Sequence, residues 1–255
     1  MELGRYGVRE ILNTQIVDYV TDKPIMYMDY ANTATNEWTS ETTYATGGAG
    51  APRRIAFNGT KQSTLTIETQ IFTLKHLALL AGRNIEKAQQ TLFKREVLTL
   101  IDDGTGGVVA NLAKAPVNAA SVSVFAFVNG DTAEELEIAE VVDKAVKVAD
   151  GSVGDEVEVF YQWKTAVDTP KVTFTAKDFP KYCKIIGDTV FADEVAGDMA
   201  AAQIQYYKAK LQPNFSLNLA NSGDPTSISL VFDIFPVKVD GVDTLADITV
   251  YDEEE

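Results

Sequence analysis

Apolar and polar residues alternate with a period of two along most of this chain of 255 residues. Such alternation is typical of β-strands that bury one face and expose the other to water. Turn-forming dipeptides, such as Asn58-Gly59 and Asp240-Gly241, separate the alternating stretches. The pattern predicts a mainly β protein whose clearest strands are Ser63–Thr69, Ser121–Phe127, Glu156–Trp163, Lys171–Thr175 and Asn214–Leu219.

One segment has helical spacing instead. Thr73 can cap the start of a helix and Gly82 can cap its end, and leucines cluster between the two. We therefore predict one helix over 73–82 that follows a strand. A weaker helical pattern lies at 84–95.

The stretch Ser227–Phe235 is apolar on both of its faces. Four large apolar residues share one face, whereas Val231 and Phe235 lie on the other beside Ser229 and Asp233. Large apolar groups on both faces indicate a second packing partner, which is either the helix or a neighbouring subunit. Val231 and Phe235 are therefore candidate assembly residues.

Residues 31–62 are rich in Thr, Ser, Gly and Asn and predict a long loop. Part of it fits a hairpin, with strands at Asn36–Thr39 and Thr42–Ala45 around Ser40. Loops of this length often bind or assemble something. Further candidate assembly residues lie at its glycine-rich end, namely Gly47, Gly48, Arg53 and Arg54.

The charge is strongly negative and unevenly distributed. The net charge is −15. A protein with this charge is a poor candidate for binding the phosphates of nucleic acid or the surface of an anionic membrane. Residues 115–168 contain 11 acidic and 3 basic side chains, whereas residues 1–114 contain 12 of each. We interpret 115–168 as an inserted β module and 1–114 with 169–255 as a discontinuous core. The alternative is a single domain with one strongly solvated face.

Residues suited to catalysis or metal binding are scarce. A single cysteine, Cys183, excludes an internal disulfide and a zinc site built on cysteines, and a single histidine, His76, excludes a His–His metal pair. We expect Cys183 to be a small buried hydrophobe and His76 to be exposed or interfacial, although a Cys–His nucleophile stays open. Asp102–Gly107 is similar in composition to a calcium-binding loop but lacks its spacing, so a tight turn fits better. The sequence thus predicts no enzyme, no cofactor and no metal.

A carbohydrate-binding or hydrolytic β protein is an alternative from a different class. Acidic β proteins include hydrolases that use paired carboxylates, and Glu134–Glu137 supplies candidates. Aromatic platforms for sugars are few, because the only tryptophans are Trp38 and Trp163.

Two long stretches resemble a known family. The first is Tyr44–Gly59, continuing through Ser63–Thr69 to Phe72–Gly82, and the second is Tyr207–Pro225, continuing into Ser227–Phe235. They resemble the major tail tube protein of large contractile-tailed bacteriophages. The resemblance implies a barrel-like or two-sheet β core with one flanking helix, hexameric rings joined by β-pairing, and stacking of rings through a loop within 31–62. It also implies that an inserted β module faces outward.

The implied function is that of a structural subunit of the tail tube. The subunits would form a homo-oligomer through which the genome passes. Its partners would be a tail sheath protein and a tape measure protein, with transient passage of genomic DNA. A conduit should repel phosphate, so acidic residues of the core strands would line it, and Glu68 and Asp233 are the candidates. The implied location is the virion tail after assembly in the host cytoplasm, since residues 1–7 lack an apolar signal segment and no membrane anchor is predicted. Another tail or baseplate component, or a capsid decoration protein, stays an alternative.

Overall fold

The computed structural model describes residues 5–8, 10–194, 197, 199–223 and 225–251. They form a mainly β protein with one α-helix, which confirms the predicted fold class. The chain divides into two compact units, the first made of 1–85 and 172–255 and the second of Glu86–Lys171. Within the described ranges no sheet closes into a barrel, so the expected barrel-like closure is absent there.

The strands of the first unit come from both ends of the chain. Residues before the second unit form β1 (Tyr6–Val8), β2 (Asn13–Asp18), β3 (Pro24–Met28), β4 (Thr33–Thr46), β5 (Arg53–Thr69) and the helix α1 (Leu74–Ala81). The second unit contains β6 (Glu86–Ala88), β7 (Thr91–Thr99), β8 (Ile101–Asp102), β9 (Val108–Asn111), a 3-10 turn (Ala119–Ser121), β10 (Val122–Val128), β11 (Asp131–Leu136), β12 (Ile138–Val142), β13 (Ala145–Val148), β14 (Glu156–Lys164) and β15 (Thr169–Lys171). Residues after it form β16 (Tyr182–Asp193), β17 (Met199–Leu211), β18 (Ile228–Ile234), β19 (Val237–Val239), β20 (Val242–Thr244) and β21 (Ala246–Tyr251).

One antiparallel sheet of nine strands dominates the first unit. Its order is β3-β2-β16-β17-β18-β5-β4, while β1 pairs with the end of β16 and β21 pairs with the first half of β17. The sheet therefore has a four-stranded part, β1-β16-β17-β21, and a seven-stranded part that shares β16 and β17 with it. The strands β19 and β20 form a separate pair.

The core of the first unit lies on one face of this sheet. The apolar face predicted for Ser227–Phe235 is confirmed, because Ile228, Leu230 and Phe232 are fully buried there. The other fully or nearly fully buried apolar side chains of this core include Ile16, Met28, Leu65, Ile67, Leu80, Cys183, Ile185, Tyr206 and Leu211. The sheet thus buries the side chains of one face, whereas most of those on the other face are half-buried and include both polar and apolar residues.

The helix begins and ends where the sequence predicts. The Thr73 side chain accepts a hydrogen bond from the Lys75 backbone N–H, which caps the start of α1. Gly82 ends the helix with φ of 65°, and a Cβ there would lie 2.2 Å from the Phe179 carbonyl oxygen. Only glycine fits both the left-handed backbone and this close approach.

The second unit is a β-sandwich whose two sheets bury each other. Its four-stranded antiparallel sheets have the orders β11-β10-β14-β7 and β12-β13-β9-β8, and Leu100 between β7 and β8 lies buried where the chain changes sheet. Their shared core consists of Leu100, Val108, Ala110, Leu112, Val122, Val124, Val146, Val148, Val157, Val159 and Tyr161.

This unit begins earlier than the module predicted at 115–168. The strands β6 and β15 pair with each other, so the chain enters and leaves the unit side by side at Glu86–Ala88 and Thr169–Lys171. Residues 86–114 carry four acidic and four basic side chains, so charge does not distinguish them from the preceding segment. The helix suggested by the weak pattern at 84–95 is absent, because β6 and β7 lie in that segment.

Two of the predicted strands are not β-strands in the structure over most of their length. Asn214–Leu219 is outside the strands, and only the first residue of Lys171–Thr175 belongs to one. Their alternation instead serves local packing, because the rings of Phe174 and Phe215 stack with centroids 5.4 Å apart. Phe215 also packs against the core of the first unit.

Candidate assembly surfaces

The segment predicted as a loop at 31–62 is mostly a long β-hairpin. The strands β4 and β5 pair from Thr33 opposite Glu68 to Thr46 opposite Arg53. The two short strands predicted around Ser40 are parts of the single strand β4, so that hairpin prediction is wrong. The turn comes instead at 47–52, where glycines permit the positive φ values of the reversal.

Three of the predicted assembly residues fix this turn. The Arg54 Nε donates to the Gly47 carbonyl oxygen at 2.7 Å, and the Ala51 N–H donates to the Gly48 carbonyl at 3.0 Å. Gly48 has φ of 91°, and a Cβ there would lie 2.8 Å from a guanidinium nitrogen of Arg54. The turn is therefore held in one shape by contacts within the hairpin.

Beyond the last residue paired with β18, the hairpin continues as a two-stranded arm, which we define as Thr39–Gln62. All residues of Arg53–Gln62 are exposed. On one side of the arm the Arg53 guanidinium lies 4.1 Å from the centre of the Tyr44 ring. On the other side Ile55 and Phe57 each expose 57% of their surface.

An arm of this kind has little to stabilise it in water. A two-stranded ribbon on its own is marginally stable, and apolar side chains on both sides lack cover within the described residues. A contact with another chain would remove that apolar surface from water. The arm is therefore the strongest candidate for an assembly surface in the first unit.

The two edges of the four-stranded part, β1-β16-β17-β21, form a second candidate surface. Among the described residues, β1 pairs only with β16 and β21 only with β17. Each neighbouring pair is antiparallel, so with four strands β1 and β21 run in opposite directions. The seven-stranded part ends on β3 and β4, which run in the same direction because the number of strands is odd.

The remaining predicted residues lie on one common face of the sheet. Glu68 is opposite Ser229 and Thr66 is opposite Val231 across the β5–β18 pair, on the side away from the core. Asp233 follows on the same side, and Phe235 continues the alternation just after β18. The sequence predicts Val231 and Phe235 at an interface and Glu68 and Asp233 at a lumen. The structure brings all four to one face of the sheet, which we call the polar face.

The carboxylates of the polar face are held mainly by neutral donors. Asp233 accepts from the Gln212 side-chain amide at 2.8 Å and Glu68 from the Thr33 hydroxyl at 3.2 Å. Sequence reasoning missed further acidic residues on this face, among them Asp188 and Asp247. Asp188 accepts from Gln203 at 2.9 Å, and Asp247 accepts from the Tyr207 hydroxyl at 2.5 Å, which raises the pKa of Tyr207. A neutral donor does not cancel the charge of the carboxylate that accepts from it, whereas Lys210 stands opposite Asp233 across the β17–β18 pair.

His76 is buried, so the expectation of an exposed or interfacial histidine is wrong. Its Nδ1 accepts from the Thr73 backbone N–H at 2.9 Å and completes a capping box, and its Nε2 lies 3.2 Å from the Met28 sulfur. Burial lowers the pKa of His76. The signal that could have placed it is the spacing of four to Leu80, which puts both side chains on the same side of α1.

Cys183 is buried, as predicted, and does not contact the histidine. Its thiol donates weakly to the Ala209 carbonyl oxygen at 3.6 Å. Burial raises the pKa of Cys183 to about 12, so the thiol stays protonated and is a poor nucleophile. The contacts of His76 are with Thr73, Met28 and Tyr30, so these two residues do not form a nucleophile and base.

The calcium-like loop is a turn whose Asp103 pairs with a lysine of β13. Asp103 accepts from the backbone N–H groups of Thr105 at 2.7 Å and Gly107 at 3.0 Å, and Lys147 lies 3.2 Å from it. These hydrogen bonds hold the pKa of Asp103 well below its usual range. In the described part of the chain no group of three or more His, Cys, Asp or Glu side chains is placed to hold a metal ion.

Of the residues considered for sugar chemistry, Glu134 lines a cleft of the second unit with Asp155 and Glu156, and neither tryptophan is part of its lining. Glu134 and Glu135 are exposed on β11, and Trp163 packs against the core of the second unit with the Lys114 Nζ 5.5 Å from its ring. Over the same described ranges, no helix has the length and apolar character needed to cross a membrane.

The sequence matches the model of a protein family. The model of the YomU/Tube protein family matches residues 6–248, which include both units. A search of curated proteins found no match. Because the family match covers nearly the whole chain, the chain belongs to the YomU/Tube protein family, and the family's name indicates a structural protein of a phage tube.

Proposed function

We propose that this member of the YomU/Tube protein family is a subunit of a bacteriophage tail tube that forms stacked rings around a channel for the genome. The observation that carries the proposal, beside the family match, is the long arm at Thr39–Gln62 with uncovered apolar side chains on both sides. Such a surface promotes aggregation of a monomer, whereas in a polymer it can form the contacts between subunits.

The directions of the free edges support a closed ring. In a ring of identical subunits, each contact joins two different surfaces, so an edge strand of one copy meets the opposite edge of the next. The strand β21 of one copy would meet β1 of its neighbour, and their opposite directions make that pairing antiparallel, the commoner kind. An even number of strands per subunit, as in β1-β16-β17-β21, is required for this.

The arm supports stacking of one ring on the next. At about 3.4 Å per residue, the strand residues Thr39–Thr46 span roughly 27 Å, which is far enough to reach another copy. Ile55 and Phe57 would be buried in that contact, and the rigid turn at 47–52 would present Arg53 and Arg54 at the far end.

The polar face supports a channel that does not bind DNA. Glu68, Asp188, Asp233 and Asp247 lie on it, and neutral donors hold them. A negative wall repels the phosphates of a duplex and so avoids retaining it. The partners of such a tube would be a tape measure protein in the channel and, in a contractile tail, a sheath protein around it, all within the virion tail.

Electron microscopy of the purified full chain tests the proposal. We expect rings or tubes whose amount rises with protein concentration, and light scattering should show a mass that is a multiple of 27.8 kDa. A chain that stays a monomer at every concentration, with no rings or tubes, would refute it.

A further inference from the structure

The polar face also contains lysines, which is unexpected for a surface that should not bind phosphate. Lys184, Lys208 and Lys210 lie on the strands β16 and β17, between the carboxylates of that face. A free ammonium group there would attract the backbone of a nucleic-acid duplex. The surroundings of these three lysines therefore matter for the proposed channel.

Three aromatic rings surround the Lys208 ammonium. Its Nζ lies 4.4 Å from the centre of the Tyr182 ring, 5.4 Å from that of Tyr19 and 6.0 Å from that of Phe235. All three distances are within the range of a cation–π contact. The side chain of Lys208 is half-buried as a result.

The other two lysines also have partners. The Lys210 Nζ lies 5.4 Å from the Tyr182 ring, and Lys210 stands opposite Asp233 across the β17–β18 pair. Lys184 forms an ion pair with Asp22. Tyr182 thus contacts two of the three lysines on this face.

The rings come from three separate segments and are fixed there by backbone bonds. The Tyr19 N–H donates to the Tyr182 carbonyl at 3.4 Å, and the Phe235 N–H donates to the Lys208 carbonyl at 2.8 Å. The Tyr182 and Phe235 rings meet edge to face with centroids 5.4 Å apart. This places Phe235, which we predicted to be an assembly residue, in a cluster within one subunit.

We infer that Tyr182, Tyr19 and Phe235 shield Lys208 and Lys210, so that the polar face does not bind the phosphates of a nucleic-acid duplex. The role rests on the proposed function, because only a channel for DNA needs it. A phosphate that approached Lys208 would have to displace its ring contacts and dehydrate against three apolar walls. The exposed charges of the face then include those of Glu68 and Asp247.

The test measures binding of a labelled DNA duplex of random sequence by fluorescence anisotropy. The full chain is used at concentrations below assembly, in about 50 mM and about 200 mM salt. Wild type should show no binding up to the highest concentration used, whereas Tyr182→Ala should bind at low salt with a dissociation constant at least about tenfold below that concentration, and should lose that binding at high salt. Tyr182→Phe, which retains the ring, should behave as wild type.

Two further variants assign the binding to the lysines. Adding Lys208→Gln and Lys210→Gln to Tyr182→Ala should abolish the new binding, and Tyr19→Ala should give a smaller gain that depends on Lys208. The inference is wrong if folded Tyr182→Ala binds DNA no better than wild type, or if the triple variant still binds.

A second measurement needs no DNA and covers the case in which Tyr182→Ala does not fold. Acetylation of the wild-type chain, followed by mass spectrometry, should modify Lys208 at least about fivefold more slowly than the exposed Lys61 of the arm, because a shielded amine is less accessible. Equal rates would overturn the inference. Both readouts are independent of tube formation, so failure of the proposed function would appear only in electron micrographs.

Discussion

The two units differ in how their sheets are covered. In the second unit, two sheets bury each other's inner faces around one core. In the first unit, one nine-stranded sheet is covered on one face, and its arm at Thr39–Gln62 is covered on neither side by the described residues. The second unit therefore covers the inner faces of its own sheets, whereas the arm of the first unit has apolar surface that the described residues leave uncovered.

The largest expected effect comes from removing the second unit at two different boundaries. Replacing 86–171 by a short Gly/Ser linker should leave a folded first unit, because β6 and β15 bring the two ends side by side. Replacing only 115–168 removes β10–β14 and leaves β7 and β9 without their partners β14 and β13, so we expect aggregation. Circular dichroism melting and size-exclusion chromatography distinguish the outcomes. Equal folding of both deletions would contradict the boundaries of the unit.

The second unit expressed alone is the matched control. Residues 86–171 should unfold in one cooperative transition whose midpoint is independent of protein concentration, because its core is complete. A midpoint that rises with concentration would show that this unit also depends on contacts between copies.

A smaller effect separates the two faces of β18. Phe232→Ala, on the fully buried face, should lower the free energy of unfolding by about 3–5 kcal/mol. Val231→Ala, one residue along and on the half-buried polar face, should lower it by about 1 kcal/mol or less. Urea unfolding monitored by fluorescence measures both. A large loss for Val231→Ala would mean that the polar face is part of a core.

Substitutions in the arm should impair assembly and leave the stability of the monomer almost unchanged. Ile55→Asp with Phe57→Asp should abolish tubes in electron micrographs, since the apolar contact would carry two charges. The free energy of unfolding of the monomer should change by no more than about 0.5 kcal/mol, because both residues are exposed. Asn58→Asp with Gln62→Asp adds the same charge to the same strand and should reduce assembly less. Tubes that persist in the first variant would exclude the arm from the contact.

The elements predicted best from sequence are those with strong local signals. The burial of Ile228 and Phe232 followed from strict alternation, and the ends of α1 followed from Thr73 and Gly82, whose capping roles depend on a few neighbouring residues. The mainly β class followed from the same period. In each case the relevant contact lies within the element or on its regular face.

The elements missed depend on partners distant in sequence. The arm has few apolar positions to alternate, so its length is set by the pairing of β4 with β5 and became visible only as a ladder. Likewise, the gathering of Phe235, Tyr19 and Tyr182 around one lysine depends on three segments far apart in the chain. The start of the second unit was missed because its first strands carry balanced charge, whereas the prediction relied on acidity.

The smallest expected effect concerns pH and the covered face. Burial lowers the pKa of His76 below its usual 6.5, so at acidic pH the unfolded chain binds a proton that the folded chain does not. The contribution of neutral His76 to stability should therefore be fully present above pH 6.5 and decrease as the pH falls from there towards the folded pKa, by at most about 1.4 kcal/mol per pH unit.

His76→Gln provides the control, because glutamine also accepts the Thr73 N–H in a capping box but does not titrate. Urea unfolding between pH 7.5 and pH 5 should show the slope in wild type and a shallower one in the variant, since the chain's carboxylates contribute equally to both. Identical slopes would mean that the imidazole can take up its proton without leaving the core, and that this face of the sheet is less tightly closed by α1 than the contacts with Met28 and Tyr30 indicate.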